Sequence, residues 1–246
     1  NANYSIIYES ANLTITQRAI TITADAKTKV YGNADPALTY QISSGNLVFT
    51  DSFSGSLNRE VGENVGIYGI TQGSLALNNN YAISFESANL TITTRAITVT
   101  ADAKFKVYGN EDPALTYQIT SGSLAFTDSF TGSLSRATGE NIGTYAITQG
   151  SLALNSNYAL TYIGADLTIT TRAITITADA KTKVYGDADP ALTYQITTGS
   201  LASGDSFSGS LSRATGENVG NYAITQGSLV LNSNYALTFV GANLTI

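Results

Sequence analysis

The sequence predicts an all-β array of small tandem repeats. Three observations carry that prediction. One block recurs along the chain, apolar and polar residues alternate in short runs, and no stretch sustains a 3.6-residue period. Arg18-Ala19-Ile20-Thr21 returns at Arg95 and at Arg172, a constant step of 77 residues (95 − 18, 172 − 95). The copies are 18–94, 95–171 and 172–246. The second and third are nearly identical, with mild exchanges such as Val99 against Ile176 and Tyr162 against Phe239. Residues 1–17 are expected to be the C-terminal end of a preceding repeat, because Asn3-Tyr4 and Asn12-Leu13-Thr14 match Asn80-Tyr81 and Asn89-Leu90-Thr91. The chain thus reads as a window on a longer array.

Within the middle copy the elements follow in order. Ala96 to Ala103 alternates Ile, Val and Ala with Thr and Asp, as a strand with one wet face does. Tyr108-Gly109-Asn110-Glu111-Asp112-Pro113 is a turn cluster. Leu115, Tyr117 and Ile119 alternate again, and Ser121-Gly122 ends that run. Ser129 to Arg136 is β-compatible and anchored by Phe130 and Leu134, and Thr138-Gly139-Glu140-Asn141 is a second turn. Tyr145 and Ile147 open a strand that Gly150 interrupts. The apolar phase then shifts at Leu152 and Leu154, which predicts a β-bulge. Tyr158, Leu160 and Tyr162 form the next strand, and Gly164-Ala165 marks a bulge or bend before Leu167 and Ile169.

Six or seven short strands per copy point to a sandwich or small barrel. Ile142-Gly143-Thr144-Tyr145 has the form of a tyrosine corner, so the reading is tandem Ig-like β-sandwich repeats, with β-grasp-like repeats as the alternative. At the junction, Leu167 to Ile176 holds neither Gly nor Pro, and the apolar phase flips across Thr171-Arg172. So short a connection leaves little freedom between copies. An elongated rod is expected, advancing roughly 35–40 Å per copy if strands lie near its axis. Neighbouring repeats are the expected source of stability, since a domain below roughly 80 residues gains only a few kcal/mol from its own core. The lysines at 104 and 106 are placed to guard a strand edge.

Composition excludes whole classes. Among 246 residues there is no Cys, His, Met or Trp, and only 12% are charged. No thiolate or imidazole metal site and no Ser-His-Asp triad can form. Net charge is −6, so no basic surface for nucleic acid is expected. Apolar runs are too short for membrane insertion of this segment. Acidic positions drift between copies, as Glu60, Glu86, Glu111 and Asp166 show, which argues against a catalytic carboxylate pair and against an enzyme.

Two patterns are distinctive. Lys-Val-Tyr-Gly-x-x-Asp-Pro-Ala-Leu-Thr-Tyr occupies 29–40, 106–117 and 183–194. Gly-Ser-Leu-x-Arg-x-x-Gly-Glu-Asn-x-Gly-x-Tyr occupies 55–68, 132–145 and 209–222. Each copy closes on Asn-Tyr and then Leu-Thr-Ile. The chain resembles the MBG repeats of the YGX type, relatives of the YDG repeats, over nearly all its length. The resemblance implies a tandem array in a long bacterial surface or secreted adhesin-like protein, hence an extracellular location. It carries over no catalytic or ligand residue.

Several chemistries remain open. No cofactor is expected, but calcium could take oxygen ligands from Asp35, Glu111, Asp112, Asp187 and Asp189; the plainer reading is a turn ahead of Pro. An isopeptide bond of the kind some adhesin domains form could join lysines 27, 29, 104, 106, 181 or 183 to Asn64, Asn141 or Asn218. The plainer reading there is a turn whose Glu140 pairs with Arg136. Asp-Ser at Ser52, Ser129 and Ser206 resembles bacterial O-glycosylation acceptors, and turn initiation explains the same residues. Most of the 15 tyrosines stand on apolar faces and read as core, while Phe105 reads as a surface change. The expected function is a non-catalytic stalk or spacer of a bacterial surface adhesin or filament. The alternatives are a multivalent weak binder of glycans or matrix proteins, and a self-associating filament subunit. Its expected partners are neighbouring repeats of the same chain, with surface glycan or like chains beyond them.

Overall fold

The computed structural model describes residues 2–246 and is all-β, with 21 strands and no helix among the described residues. The chain divides into two compact units. One runs to Ile97 and includes Ser123–Ser129 and Leu154–Ala159. The other holds Thr98–Gly122, Phe130–Ala153 and Leu160–Ile246.

Seven strands recur in each repeat. In the first they are β1 (Arg18–Ala24), β2 (Lys27–Val30), β3 (Tyr40–Ser44), β4 (Asn58–Arg59), β5 (Gly66–Thr71), β6 (Tyr81–Glu86) and β7 (Ala88–Thr93). The second has β8 (Arg95–Ala101), β9 (Lys104–Val107), β10 (Tyr117–Ser121), β11 (Ser135–Arg136), β12 (Gly143–Thr148), β13 (Tyr158–Ile163) and β14 (Ala165–Thr170). The third has β15 (Arg172–Ala178), β16 (Lys181–Thr182), β17 (Tyr194–Thr198), β18 (Ser212–Arg213), β19 (Asn221–Thr225), β20 (Tyr235–Val240) and β21 (Ala242–Thr245).

Each repeat has a three-stranded and a four-stranded sheet, ordered β3-β1-β6 and β2-β7-β5-β4 in the first. Alternation decides which side chains meet. Ile22 and Ala24 of β1 point inward, as do Ile70 of β5 and Leu90 of β7, and the four share one core with Leu57 and Leu75. The two sheets therefore face each other across it, in a sandwich or half-barrel arrangement. The equivalent core of the second repeat is Val99, Ala101, Leu134, Ile147, Leu152 and Leu167, with Phe130 packed against it.

Both sheets are mixed. β1 pairs in parallel with β6 and antiparallel with β3; β2 pairs in parallel with β7, which is antiparallel to β5. β1 and β2 follow each other across a short bend, and β6 and β7 are separated only by Ser87. Two adjacent ribbons thus turn the same corner side by side from one sheet into the other. A parallel pair in each sheet departs from the antiparallel sheets of an immunoglobulin domain. The Ig-like order is not what the strands adopt, although one Ig-like detail is present: the Tyr145 hydroxyl donates to the Asn141 carbonyl at 2.8 Å, closing the corner. Nor does any helix among the described residues pack on a sheet as in a β-grasp.

Other local expectations shift in instructive ways. Gly150 lies in a turn at φ +58° after β12 has ended, so a turn rather than a bulge resets the apolar phase. The register shifts fall instead between Thr21 and Ile22, and between Ile119 and Ser121. Gly164 is the single residue between β13 and β14 and makes the expected bend. β10 alternates in sequence yet is mostly exposed, because it is an edge strand paired on one side only. Residues 4–17 form no strand, and Leu13 and Ile15 are exposed. Their equivalents in β6 and β7 pair with β1, β2 and β5, which precede them in the same repeat.

Candidate functional site

Two side-chain clusters recur, and both grow from the patterned segments of the sequence. The first is ionic. β2 is an edge strand, and its alternation sends Lys29 inward, with a side chain only 4% exposed. A buried ammonium is costly unless it is paired. The turn after β2 brings Asp35, and the turn after β4 brings Glu63. Lys29 Nζ donates to Asp35 Oδ1 at 2.5 Å and to Glu63 Oε2 at 2.6 Å. From β4, Arg59 bridges the same two carboxylates, with Nε 2.6 Å from Asp35 Oδ2. Lys106, Asp112, Arg136 and Glu140 repeat the arrangement, as do Lys183, Asp189, Arg213 and Glu217.

The charges reinforce one another. Burial pushes the Lys29 ammonium down, but hydrogen bonds to Asp35 and Glu63 more than offset it and hold the group above its ordinary value. The Arg59 and Lys29 bonds hold Asp35 below the usual range, and Lys29 with Arg59 does the same for Glu63. Arg213 and Lys183 bring Asp189 down to about 2. The guanidinium also lies over a tyrosine, with Arg136 Cζ 5.5 Å from the Tyr145 ring centre. That ring covers Gly139, which stands at φ +139°; a Cβ there would lie 2.2 Å from the ring.

The second cluster joins one repeat to elements of the next. Within the first unit, Tyr31 leaves the end of β2 and enters a socket made by Tyr158, Ala125, Phe126 and Asp128. Its hydroxyl donates to Asp128 Oδ2 at 2.9 Å. Tyr158 donates to the same oxygen at 2.8 Å, and Asn155 Nδ2 donates to Oδ1 at 3.0 Å. The Tyr31 ring meets Tyr158 edge-on at 5.5 Å and Phe126 at 5.4 Å. Burial, then the Asp128 carboxylate, raises the Tyr31 and Tyr158 hydroxyls above their ordinary value. Arg95 fastens the turn, with Nε donating to the Tyr31 carbonyl at 2.8 Å and a terminal nitrogen to Asn33 Oδ1 at 2.7 Å. On the other flank Asn157 donates to Asn64 Oδ1 at 2.9 Å and accepts from the Val65 N–H at 2.8 Å.

The second unit builds the same joint from the next copies. Tyr108 donates to Asp205 at 3.0 Å and packs on Tyr235 at 5.5 Å. Arg172 holds the Tyr108 carbonyl and Asn110, and Asn234 holds Asn141 and the Ile142 N–H. In both joints a single residue, Thr94 or Thr171, separates the last strand of one copy from the first of the next.

The sequence-predicted residues fall as follows. Lys29 and Lys106 meet Asp and Glu carboxylates, whereas Asn64 and Asn141 turn to asparagines of the following copy. Lys183 likewise meets Asp189 and Glu217, and Asn218 accepts the Tyr222 hydroxyl through its carbonyl. Lys27, Lys104 and Lys181 open strands and are half-buried. Asp35, Asp112 and Asp189 are each neutralised by a Lys and an Arg, while Glu111 and Asp187 lie exposed in turns. Among the described residues no group of three or more acidic side chains stands close enough to hold a metal ion. Ser52, Ser129 and Ser206 are exposed beside the socket aspartates. Those aspartates, 51, 128 and 205, are the functional residues that sequence reasoning missed. Their signal was an Asp-Ser-Phe recurring in step with Tyr-Gly.

The family model of the MBG domain (YGX type) matches residues 20–91, 97–168 and 174–245. No curated protein matches the chain.

Proposed function

Given that this chain belongs to the MBG domain (YGX type) family, a family of structural or binding repeats, we propose that it is a non-catalytic spacer. It forms part of an extracellular bacterial surface array and holds a functional tip away from the cell. The observation that carries this reading is the joint built twice from equivalent residues, Tyr31–Asp128 with Arg95 and Tyr108–Asp205 with Arg172. A flexible tether needs only a polar linker. Here each connection is one residue long, and hydrogen bonds and aromatic contacts on both flanks fix the copies it joins. That supports stiffness as the selected property. Each copy also carries its own ionic cluster, which ties turns to an edge strand where the chain has no disulfide.

Small-angle X-ray scattering over a concentration series, with calcium and with chelator, tests the proposal. A stalk has a maximum dimension near the sum of its copies, on the order of 35–40 Å each, that is unchanged by calcium or by chelator. A compact particle refutes it.

A further inference from the structure

Each joint brings together a pair of tyrosines from successive copies. Tyr31 and Tyr158 stand with ring centres 5.5 Å apart and planes at 78°, and Tyr108 and Tyr235 repeat both values. Both hydroxyls of a pair donate to the same carboxylate oxygen. Tyr31 and Tyr158 reach Asp128 Oδ2 at 2.9 and 2.8 Å, and Tyr108 and Tyr235 reach Asp205 Oδ2 at 3.0 and 2.7 Å. Two phenols that converge on one oxygen turn neighbouring edges toward each other, and the carbons ortho to the hydroxyls lie on those edges. The pairing is selective. Among the described residues the other aromatic contacts, Tyr31–Phe126, Tyr40–Phe53, Tyr117–Phe130 and Tyr194–Phe207, each join a tyrosine to a phenylalanine.

The ortho carbons are where phenoxyl radicals couple, and the bond between two aryl rings tolerates a large angle between their planes. A phenol gives up an electron more readily when a positioned base takes its proton, and the shared carboxylate is such a base. Asp128, Asp205 and Tyr108 are half-buried, while Tyr31, Tyr158 and Tyr235 are buried. An oxidant therefore need reach only the rim of the joint, and protons leave by the same side.

We infer that Tyr31–Tyr158 and Tyr108–Tyr235 are sites of oxidative dityrosine cross-linking, which converts each joint between copies into a carbon–carbon bond. The co-reactant is hydrogen peroxide acting through a one-electron oxidant of the haem peroxidase class. Each tyrosine loses one electron to the oxidant and its hydroxyl proton to the shared carboxylate, which hands the proton on to water. The two radicals form a bond between ortho carbons, Cε to Cε. The hydrogens on those carbons then move to the oxygens and restore both hydroxyls. Per link, two electrons and two protons reduce one peroxide to two waters. The link closes a loop of 127 residues (158 − 31, 235 − 108) in a chain that has no cysteine to close one. Like a disulfide it restricts the unfolded chain, and the chemistry stands whether or not the chain acts as a spacer.

Photo-oxidation of the dilute 246-residue chain by tris(bipyridine)ruthenium(III), followed by trypsin and mass spectrometry, reads the links directly. Cleavage after Lys and Arg places Tyr31 in 30–59, Tyr158 in 137–172, Tyr108 in 107–136 and Tyr235 in 214–246, so each link joins its own pair of peptides. Both links are expected, each two hydrogens lighter than the sum of its peptides, in yields that do not change with protein concentration. Tyr31→Phe is expected to remove the first link and spare the second, and Tyr108→Phe the reverse. Far-UV circular dichroism and the spared link report that each variant is folded. In urea both yields should fall about ten-fold or more, since the fold supplies the proximity. A wild type that lacks either link, a link that survives its own substitution or is lost with the other's, or equal yields in urea overturns the inference.

Discussion

Replacing the socket aspartate offers a test with its own internal control. Asp128 accepts from Tyr31, Tyr158 and Asn155, whereas the equivalent Asp51 accepts, among the described residues, from Tyr81 and Asn78. Asp128→Ala and Asp51→Ala therefore remove the same local bonds and differ by one: the hydroxyl donated from the preceding copy. A hydrogen bond to a charged group contributes about 1.5–3 kcal/mol. Asp128→Ala should thus cost about 1.5–3 kcal/mol more than Asp51→Ala, and the excess is the energy of the joint. Urea unfolding followed by far-UV circular dichroism reads it. With a slope of about 2 kcal/mol/M the excess is a difference of roughly 1 M in midpoint. Tyr31→Phe supplies the second arm. On that background Asp128→Ala should lose its excess, since neighbours that share a bond do not add. Equal costs for the two aspartates, or an excess that survives Tyr31→Phe, would refute the assignment of joint energy to this hydroxyl.

Three further outcomes are expected. The paired carboxylates are held below their ordinary values of 3.8 and 4.5, so their stabilisation is complete above that range and is lost as pH falls toward about 2, where Asp189 titrates. The paired lysines are held above 10.5, and Tyr31, Tyr158 and Tyr235 above 10.0, so theirs is complete below those values and lost as pH rises past them. A melting temperature that is level from about pH 5 to 9 and drops on both sides is the expected profile. In the ionic cluster the two sides should behave unequally. Lys106→Met leaves two part-exposed carboxylates still held by Arg136 and should cost under about 1 kcal/mol. Asp112→Asn with Glu140→Gln strands a buried ammonium and should cost about 3–5 kcal/mol by chemical denaturation. Gly109→Ala and Gly186→Ala share the strain of positive φ, about 1–2 kcal/mol, but only the first strikes Ala202, so calorimetry should show Gly109→Ala to be the more damaging.

Much of this architecture was legible because it is local. Alternation at Ile97, Val99 and Ala101 marks a buried face, and these residues are buried. Phe130 and Leu134 read as anchors and pack in the core. Sheet order was not legible, since periodicity says which face a residue takes and is silent on its neighbour. The parallel pairing of β1 with β6 joins residues more than sixty positions apart. β10 shows the same limit from the other side: its alternation is regular, but an edge strand has too little covering it to bury Ile119. In the ionic cluster, pairing of Glu140 with Arg136 was visible from their spacing. Lys106 reads from its place at a strand end as an edge guard, and only the fold shows it turned inward as the buried centre of the cluster. The socket was invisible because Asp128 and Tyr31 lie 97 residues apart, in different copies.

One consequence concerns how such a chain changes over generations. Every repeat bears the Tyr-Gly turn and the aspartate that receives it, and a single threonine is all that separates successive copies. Slippage or unequal crossing-over that inserts or removes one 77-residue block (95 − 18) therefore destroys one joint and recreates an equivalent one at the new boundary. No compensating substitution is required elsewhere. Length becomes a heritable quantity that varies in whole steps while the contacts of each joint stay the same.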